Sequence, residues 1–268
     1  MEEIIYLSFF AFLAGFIDSV VGGGGLIQLP ALFVFLPGVP VPTIFGTGKM
    51  ASIAGTTSAM VNYVRKVPLN YKAILPAAAA AFVFSFIGAR TLSHFDANLL
   101  KPLILLLLVL VAVYTFIRKD FGSLHAPKLS EAKEKLYGVA VGVAIGFYDG
   151  FFGPGTGSFL IFIFIGIFGF NFLSASAAAK VVNVATNLSA LLYFIWKGFV
   201  LYEVALPMAC CSIIGSQLGT RLALKRGTGF VRVLFLVVVS GIILKLTYDT
   251  YASRPEVQQV LAALHWAG

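Results

Sequence analysis

The chain has 268 residues, 59% of them hydrophobic and only 11% charged. A soluble domain of that composition would have almost nothing to turn toward water, so an all-α polytopic membrane protein is expected, and a cytosolic enzyme or nucleic-acid-binding module is excluded. The net charge of +8, from 19 Lys and Arg against 11 Asp and Glu, falls mostly in short connecting stretches, where basic residues report orientation in a bilayer.

The start, Met1-Glu2-Glu3, is acidic where a secretory signal is basic, and no small-residue cleavage site follows, so the first apolar segment is expected to stay as an anchor. Charges delimit eight apolar segments, at 4–36, 43–64, 73–89 and 102–117, then 136–168, 174–196, 204–220 and 233–248. The later three of each set approach the ~20 residues that a spanning helix needs. The first of each set is much longer and is cut by glycine, which predicts a broken or re-entrant helix. Residues 1–117 and 136–252 thus read as two transmembrane units. The polar stretch 118–135, with Pro127 and both charge signs, reads as a cytoplasmic linker, and 253–268 as a terminal extension.

The two units are copies. Asp18 and Asp149, Gly22 and Gly153, Gly24 and Gly155, Lys49 and Lys180, Lys66 and Lys197, Pro76 and Pro207, Arg90 and Arg221 all lie 131 positions apart. Shared greasiness does not explain matched charges, and internal duplication in an apolar chain is a signature of secondary transporters. If the second copy is inverted, 12 basic residues collect on one side against 5 on the other; parallel copies give 11 against 6. The positive-inside rule therefore favours inverted repeats and leaves parallel ones open.

Two glycine breaks carry the chemistry. They are Asp18-Ser-Val-Val-Gly22-Gly23-Gly24-Gly25 and Asp149-Gly-Phe-Phe-Gly153-Pro-Gly155-Thr156-Gly157. A helix break at membrane depth is tolerated where it is buried in protein or lines a wet cavity, and the half-helix after it presents unpaired N–H groups that favour an anion. Close helix packing is the other reading of such glycines. Lys49 and Lys180 each follow thirty uncharged residues and fall about two turns into a helix. A lysine there costs roughly 2.5–3.5 kcal/mol to insert, so the pair is expected to face a substrate path; the alternatives are snorkelling or pairing with Asp18 and Asp149 to hold the halves together. Lys180, Asn183 and Asn187 form one helical stripe, answered by Lys49, Ser52 and Thr56, with Asn62 further along. Asp18 and Asp149 are candidates for carrying a coupling proton, or for capping and lysine pairing.

No paired catalytic carboxylates, nucleophile set or Cys/His cluster accompanies these motifs, so neither enzyme nor metal site nor cofactor is expected. Cys210 and Cys211 are adjacent in an apolar segment, and His94, His125 and His265 are scattered. Arg90 and Arg221 read as interfacial anchors.

Taken together, Gly15-Phe-Ile-Asp-Ser-Val-Val-Gly-Gly-Gly-Gly-Leu, Pro30-Ala-Leu, Gly46-Thr-Gly-Lys49, Asn62-Tyr63 and Gly146-Phe-Tyr-Asp-Gly-Phe-Phe-Gly-Pro-Gly-Thr-Gly resemble the sulfite exporter TauE/SafE family, also called the toluene sulfonate uptake permease group. The resemblance covers nearly the whole chain. It implies a permease of the bacterial inner membrane moving small sulfur-containing or carboxylated anions, such as sulfite or organosulfonates, by a secondary mechanism. The expected partners are then a small anion, the lipid bilayer and protons as coupling ion. A passive anion channel, a carboxylate as cargo and a homodimer stay open at this point, as does the direction of transport.

Overall fold

A computed structural model describes residues 2–95 and 129–226. The segments expected at 102–117 and 233–248, residues 118–128 of the linker and the extension 253–268 lie outside the described residues. The described chain is helical, with no strand among the described residues.

In the first half α1 spans Glu2–Val21, α2 Gly25–Phe35, α3 Val41–Val64 and α4 Tyr71–His94. In the second, α5 spans Glu131–Phe151, α6 Thr156–Gly166 and α7 Phe172–Trp196, and residues 202–226 form α8. Adding 131 to the limits of α2 returns those of α6, and the starts of α3 and α4 map onto those of α7 and α8. α5 begins at Glu131, inside the stretch expected as linker. Ser130, Glu131 and Glu134 mark a helix start, where acidic residues meet the positive end of the dipole.

The glycine breaks turn the chain back on itself. Tyr6 and Phe10 of α1 lie beside Phe35 of α2, with ring centroids 5.4 and 5.9 Å apart, and a Cβ on Gly24 would run into the Ala14 carbonyl. α1 and α2 therefore form a hairpin entering from one end of the bundle, here called end one. α5 and α6 form the second hairpin, from end two, where Asn70 donates to both carboxylate oxygens of Glu134 at 3.0 and 2.9 Å. α3 crosses from end one to end two and α7 crosses back. One core cluster joins Tyr63, late in α3, to Phe172 and Ala175 at the start of α7. The other joins Val41 and Ile44 at the start of α3 to Tyr193 and Phe194 at the end of α7.

The halves interlock through small residues. α5 carries Gly138, Gly142, Gly146 and Gly150 on one face, against Ala73, Ala77, Ala81 and Ser85 of α4, running parallel so closely that a Cβ at any of these glycines would strike α4. The reciprocal contact sets α8 on α1, with Gly215 against Phe12 and Gly219 against Phe16. Two further bonds repeat with the halves exchanged: the Ser85 hydroxyl donates to the Thr186 carbonyl at 2.8 Å and Ser216 to that of Gly55 at 2.6 Å. Three described helices, Glu2–Val21, Tyr71–His94 and Phe172–Trp196, are long and apolar enough to cross a bilayer.

Candidate functional site

The two hairpin tips meet at the centre. Gly22 and Gly153 adopt φ of +81° and +90°, in the left-handed region that lets a helix stop and turn without a Cβ penalty. The Ser158 amide donates to the Gly22 carbonyl at 3.2 Å and its hydroxyl to the Val21 carbonyl at 3.0 Å. A Cβ on Gly22 would overlap the Gly157 backbone, and one on Gly157 that of Gly22. Past each tip a half-helix begins with unpaired donors: the amides of Gly23, Gly24, Gly25, Gly155 and Gly157 meet no acceptor among the described residues.

Each lysine, on the ninth residue of its helix, reaches across to the other half. The Lys49 ammonium donates to Asp149 Oδ2 at 2.6 Å and to Asn187 Oδ1 at 3.0 Å. Lys180 donates to Asp18 Oδ2 at 2.8 Å and also to the Asp18 carbonyl, while the Thr56 hydroxyl reaches the same carboxylate at 3.2 Å. The two ion pairs are related by the 131-residue shift and differ in access. Lys49 borders a cavity, whereas Lys180 is completely buried and does not border it.

That cavity holds Asp18, Asp149, Gly22, Gly24, Gly25, Gly153, Gly155, Gly157, Lys49, Ser52, Thr56, Asn183 and Asn187 in its wall. Asn187 spends its carbonyl oxygen on Lys49, which leaves its NH₂ group to the cavity; the Thr186 hydroxyl donates to the Asn183 backbone carbonyl at 3.0 Å, and the Asn183 side-chain amide borders the cavity. The cavity wall extends toward end one. Leu29, Leu32 and Phe45 line it on that side, while their counterparts Leu160, Ile163 and Ser176 do not. End two is closed by Lys180 on Asp18 and by the packed rings of Phe164, Phe168 and Phe170, with centroids 5.3 to 6.0 Å apart.

Four candidate residues stand apart from the cavity wall. Asn62 sits in the last two turns of α3 and donates to the Ser58 carbonyl of its own helix at 3.0 Å. Thr156 is buried and closes its own turn on the Gly153 carbonyl at 2.6 Å. Gly23 and Lys180 are also outside it. Conversely, Gln28 and Ser212 line the cavity without having stood out in the sequence. Gln28 is buried, donates to the Gly48 carbonyl at 2.9 Å and accepts from Ser52 at 3.4 Å, so it ties the first half-helix to the lysine helix. Its counterpart is Phe159 and that of Ser212 is Ala81, so a search for matched positions passes over both. A buried amide in an apolar run was the signal for Gln28; Ser212 had none. Among the described residues no group of His, Cys, Asp and Glu is arranged to hold a metal ion.

A family model described as sulfite exporter TauE/SafE matches residues 7–246. The chain is 33% identical over 266 residues to the "probable membrane transporter protein YfcA" of Escherichia coli K12, covering 98% of this chain and 93% of that one. It is also 33% identical to the "probable membrane transporter protein ORF9" of a Sinorhizobium species, covering 92% and 93%, and to a "probable membrane transporter protein" of Haemophilus influenzae, covering 89% and 92%. No solved structure matches the chain. With that extent of match, the chain belongs to the sulfite exporter TauE/SafE family and is a multi-pass transporter of the bacterial inner membrane, not an enzyme.

Proposed function

We propose that the protein is a proton-coupled secondary transporter of small sulfur-containing anions such as sulfite or an organosulfonate, built from inverted repeats that rock about the central hairpin tips. The observation that carries this reading is the convergence on one cavity of Lys49, two buried side-chain amides and the free N–H groups of two half-helices. Together these form an anion receptor without a second cation.

Inversion is supported by the hairpins that enter from opposite ends and by the antiparallel course of α3 and α7. Orientation follows from charge. Arg65, Lys66, Lys72, Lys133, Lys135, Arg221, Lys225 and Arg226 gather at end two, against Arg90 and Lys197 at end one. End two is then cytoplasmic and the cavity faces the periplasm. In the alternate state Lys180 and Asp18 take the exposed place while Lys49 and Asp149 close. A passive channel is disfavoured by the seal of Lys180 and the aromatic cluster at end two.

The test is uptake of labelled sulfite, and separately of a small organosulfonate and a small carboxylate, into proteoliposomes with and without a pH gradient. Gradient-driven accumulation that Lys49→Ala/Lys180→Ala abolishes supports the transporter, and the preferred anion identifies the cargo. Flux that never exceeds equilibrium supports a channel, and equal flux in wild type and variant removes the lysines from the site.

A further inference from the structure

This inference rests on the reading above and concerns the charge of the ion. Among the described residues, the formally charged side chains that line the cavity are Lys49, Asp18 and Asp149. Lys180 lies behind the wall and holds Asp18 through its carboxylate and its carbonyl. The two ion pairs therefore leave the site with no net charge before any substrate arrives. Every other donor on the wall is neutral: the amides of Asn183 and Asn187, the hydroxyl of Ser212 and the N–H groups of the two half-helices.

We propose that the protein carries a monovalent anion, bisulfite or a monosulfonate rather than a dianion, and moves one proton with each, so that the transport cycle is electroneutral. An oxyanion reaching Lys49 finds its ammonium engaged by Asp149 at 2.6 Å. For Lys49 to turn to the newcomer, Asp149 must give up its charge. A proton enters from water at the open mouth and forms an O–H bond on the Asp149 carboxylate. Lys49 keeps its three protons and exchanges one ion pair for another. One negative charge and one positive charge have entered, so the dry site is as neutral as before.

A dianion would leave one negative charge uncompensated, and the neutral donors can solvate it without cancelling it. The remaining carboxylate able to take a second proton, Asp18, is already satisfied by Lys180 and the Thr56 hydroxyl. Among the described residues, the surroundings of Asp149 supply no other cation. α3 presents Lys49; α1 presents Asp18 across the cavity; α7 presents Lys180, tied to Asp18, and neutral Asn187. α4 packs on α5 there through Ser85, and α5 itself adds Tyr148, whose hydroxyl is spent on the Pro154 carbonyl at 2.7 Å.

The experiment uses the full chain in proteoliposomes with labelled methanesulfonate as the monovalent probe and ethane-1,2-disulfonate as the divalent competitor. The disulfonate should compete at least about tenfold more weakly than unlabelled methanesulfonate. Sulfite uptake should follow the bisulfite fraction as pH is raised through its ionisation. Uptake driven by a pH gradient should be indifferent to a potassium diffusion potential imposed with valinomycin. In Asp149→Asn, whose side chain is permanently neutral as the protonated Asp149 is, the pH gradient should no longer drive methanesulfonate accumulation, and the disulfonate should remain at least about tenfold the weaker competitor. Equal competition by the two sulfonates, or uptake that responds to membrane potential, overturns the inference while leaving the transporter reading in place. If Asp149→Asn does not fold, the potential test on the wild-type protein decides alone. Absence of saturable uptake of any of these anions removes the transporter reading and this inference with it.

Discussion

Breaking the sealed ion pair one partner at a time should cost far more than removing it whole. Lys180 has no exposed side-chain surface and Asp18 only 17%. Removing one partner of a buried pair costs about 3–5 kcal/mol, because the other charge is left desolvated, whereas replacing both is often near neutral. The two single variants should not be equal. In Lys180→Met, Asp18 keeps the Thr56 hydroxyl and its edge on the cavity, so it can draw in water or a proton; the loss should lie near the low end, about 3 kcal/mol. In Asp18→Asn the ammonium stays wholly enclosed with only neutral acceptors, one of them the residue 18 carbonyl, and the loss should approach about 5 kcal/mol. The double variant Lys180→Met/Asp18→Asn should return to within about 1 kcal/mol of wild type. Unfolding of purified protein in mixed dodecyl maltoside and dodecyl sulfate micelles, followed by circular dichroism, measures all four proteins. Additive losses in the double variant, or single variants as stable as wild type, would refute the argument that this pair is a dry, mutually dependent seal.

Other consequences are separable. Gly22 and Gly38 share a positive φ, +81° and +86°, but a Cβ on Gly38 meets nothing while one on Gly22 strikes the other hairpin tip. Gly38→Ala should therefore lose only about 1–2 kcal/mol of stability with uptake intact, and Gly22→Ala should abolish uptake as well. Gln28→Leu removes the amide that ties α2 to the Gly48 carbonyl; KM for the anion should rise about tenfold with kcat little changed, read from initial uptake rates. On the surface, the Lys72 ammonium beside Glu131 holds that carboxyl below its ordinary range. Because the folded value is depressed, the contribution of this pair is present above the ordinary carboxylate range and is lost as pH falls through the folded value. Lys72→Ala should bring the Glu131 titration, followed by carboxyl-carbon NMR, back toward its usual range with no measurable change in thermal stability.

The described fold was largely legible because glycine and charge punctuate it. The breaks at Gly22–Gly25 and Gly153–Gly157 end α1 and α5 where the sequence expected, since glycine at positive φ and four successive residues without side chains leave a helix little to propagate on. Helix starts were less visible: the run Glu131 to Lys135 reads as linker by polarity, yet Ser130 and the acidic first turn begin α5 there. Hydrophobicity also cannot say which way a chain leaves a break, and the return of α2 along α1 is set by packing of Phe35 on Tyr6 and Phe10. The lysines were found by their cost in an apolar segment, but their partners lie 100 and 162 residues away and only the fold chooses between Asp18 and Asp149 for each.

Matching positions between the halves also treats Lys49 and Lys180 as equals, and the structure does not. The difference comes from the residues that fail to match. Gln28 is answered by Phe159, Ser212 by Ala81 and Phe45 by Ser176, and Lys49 borders a cavity walled by amides and glycine that Lys180 does not reach. The matched residues supply two ion pairs related by the 131-residue shift, and the unmatched ones decide which of the two borders the cavity. Substitutions that exchange unmatched partners, such as Gln28→Phe with Phe159→Gln, therefore bear on the direction in which the cavity faces more than substitutions at either lysine, which remove the site itself.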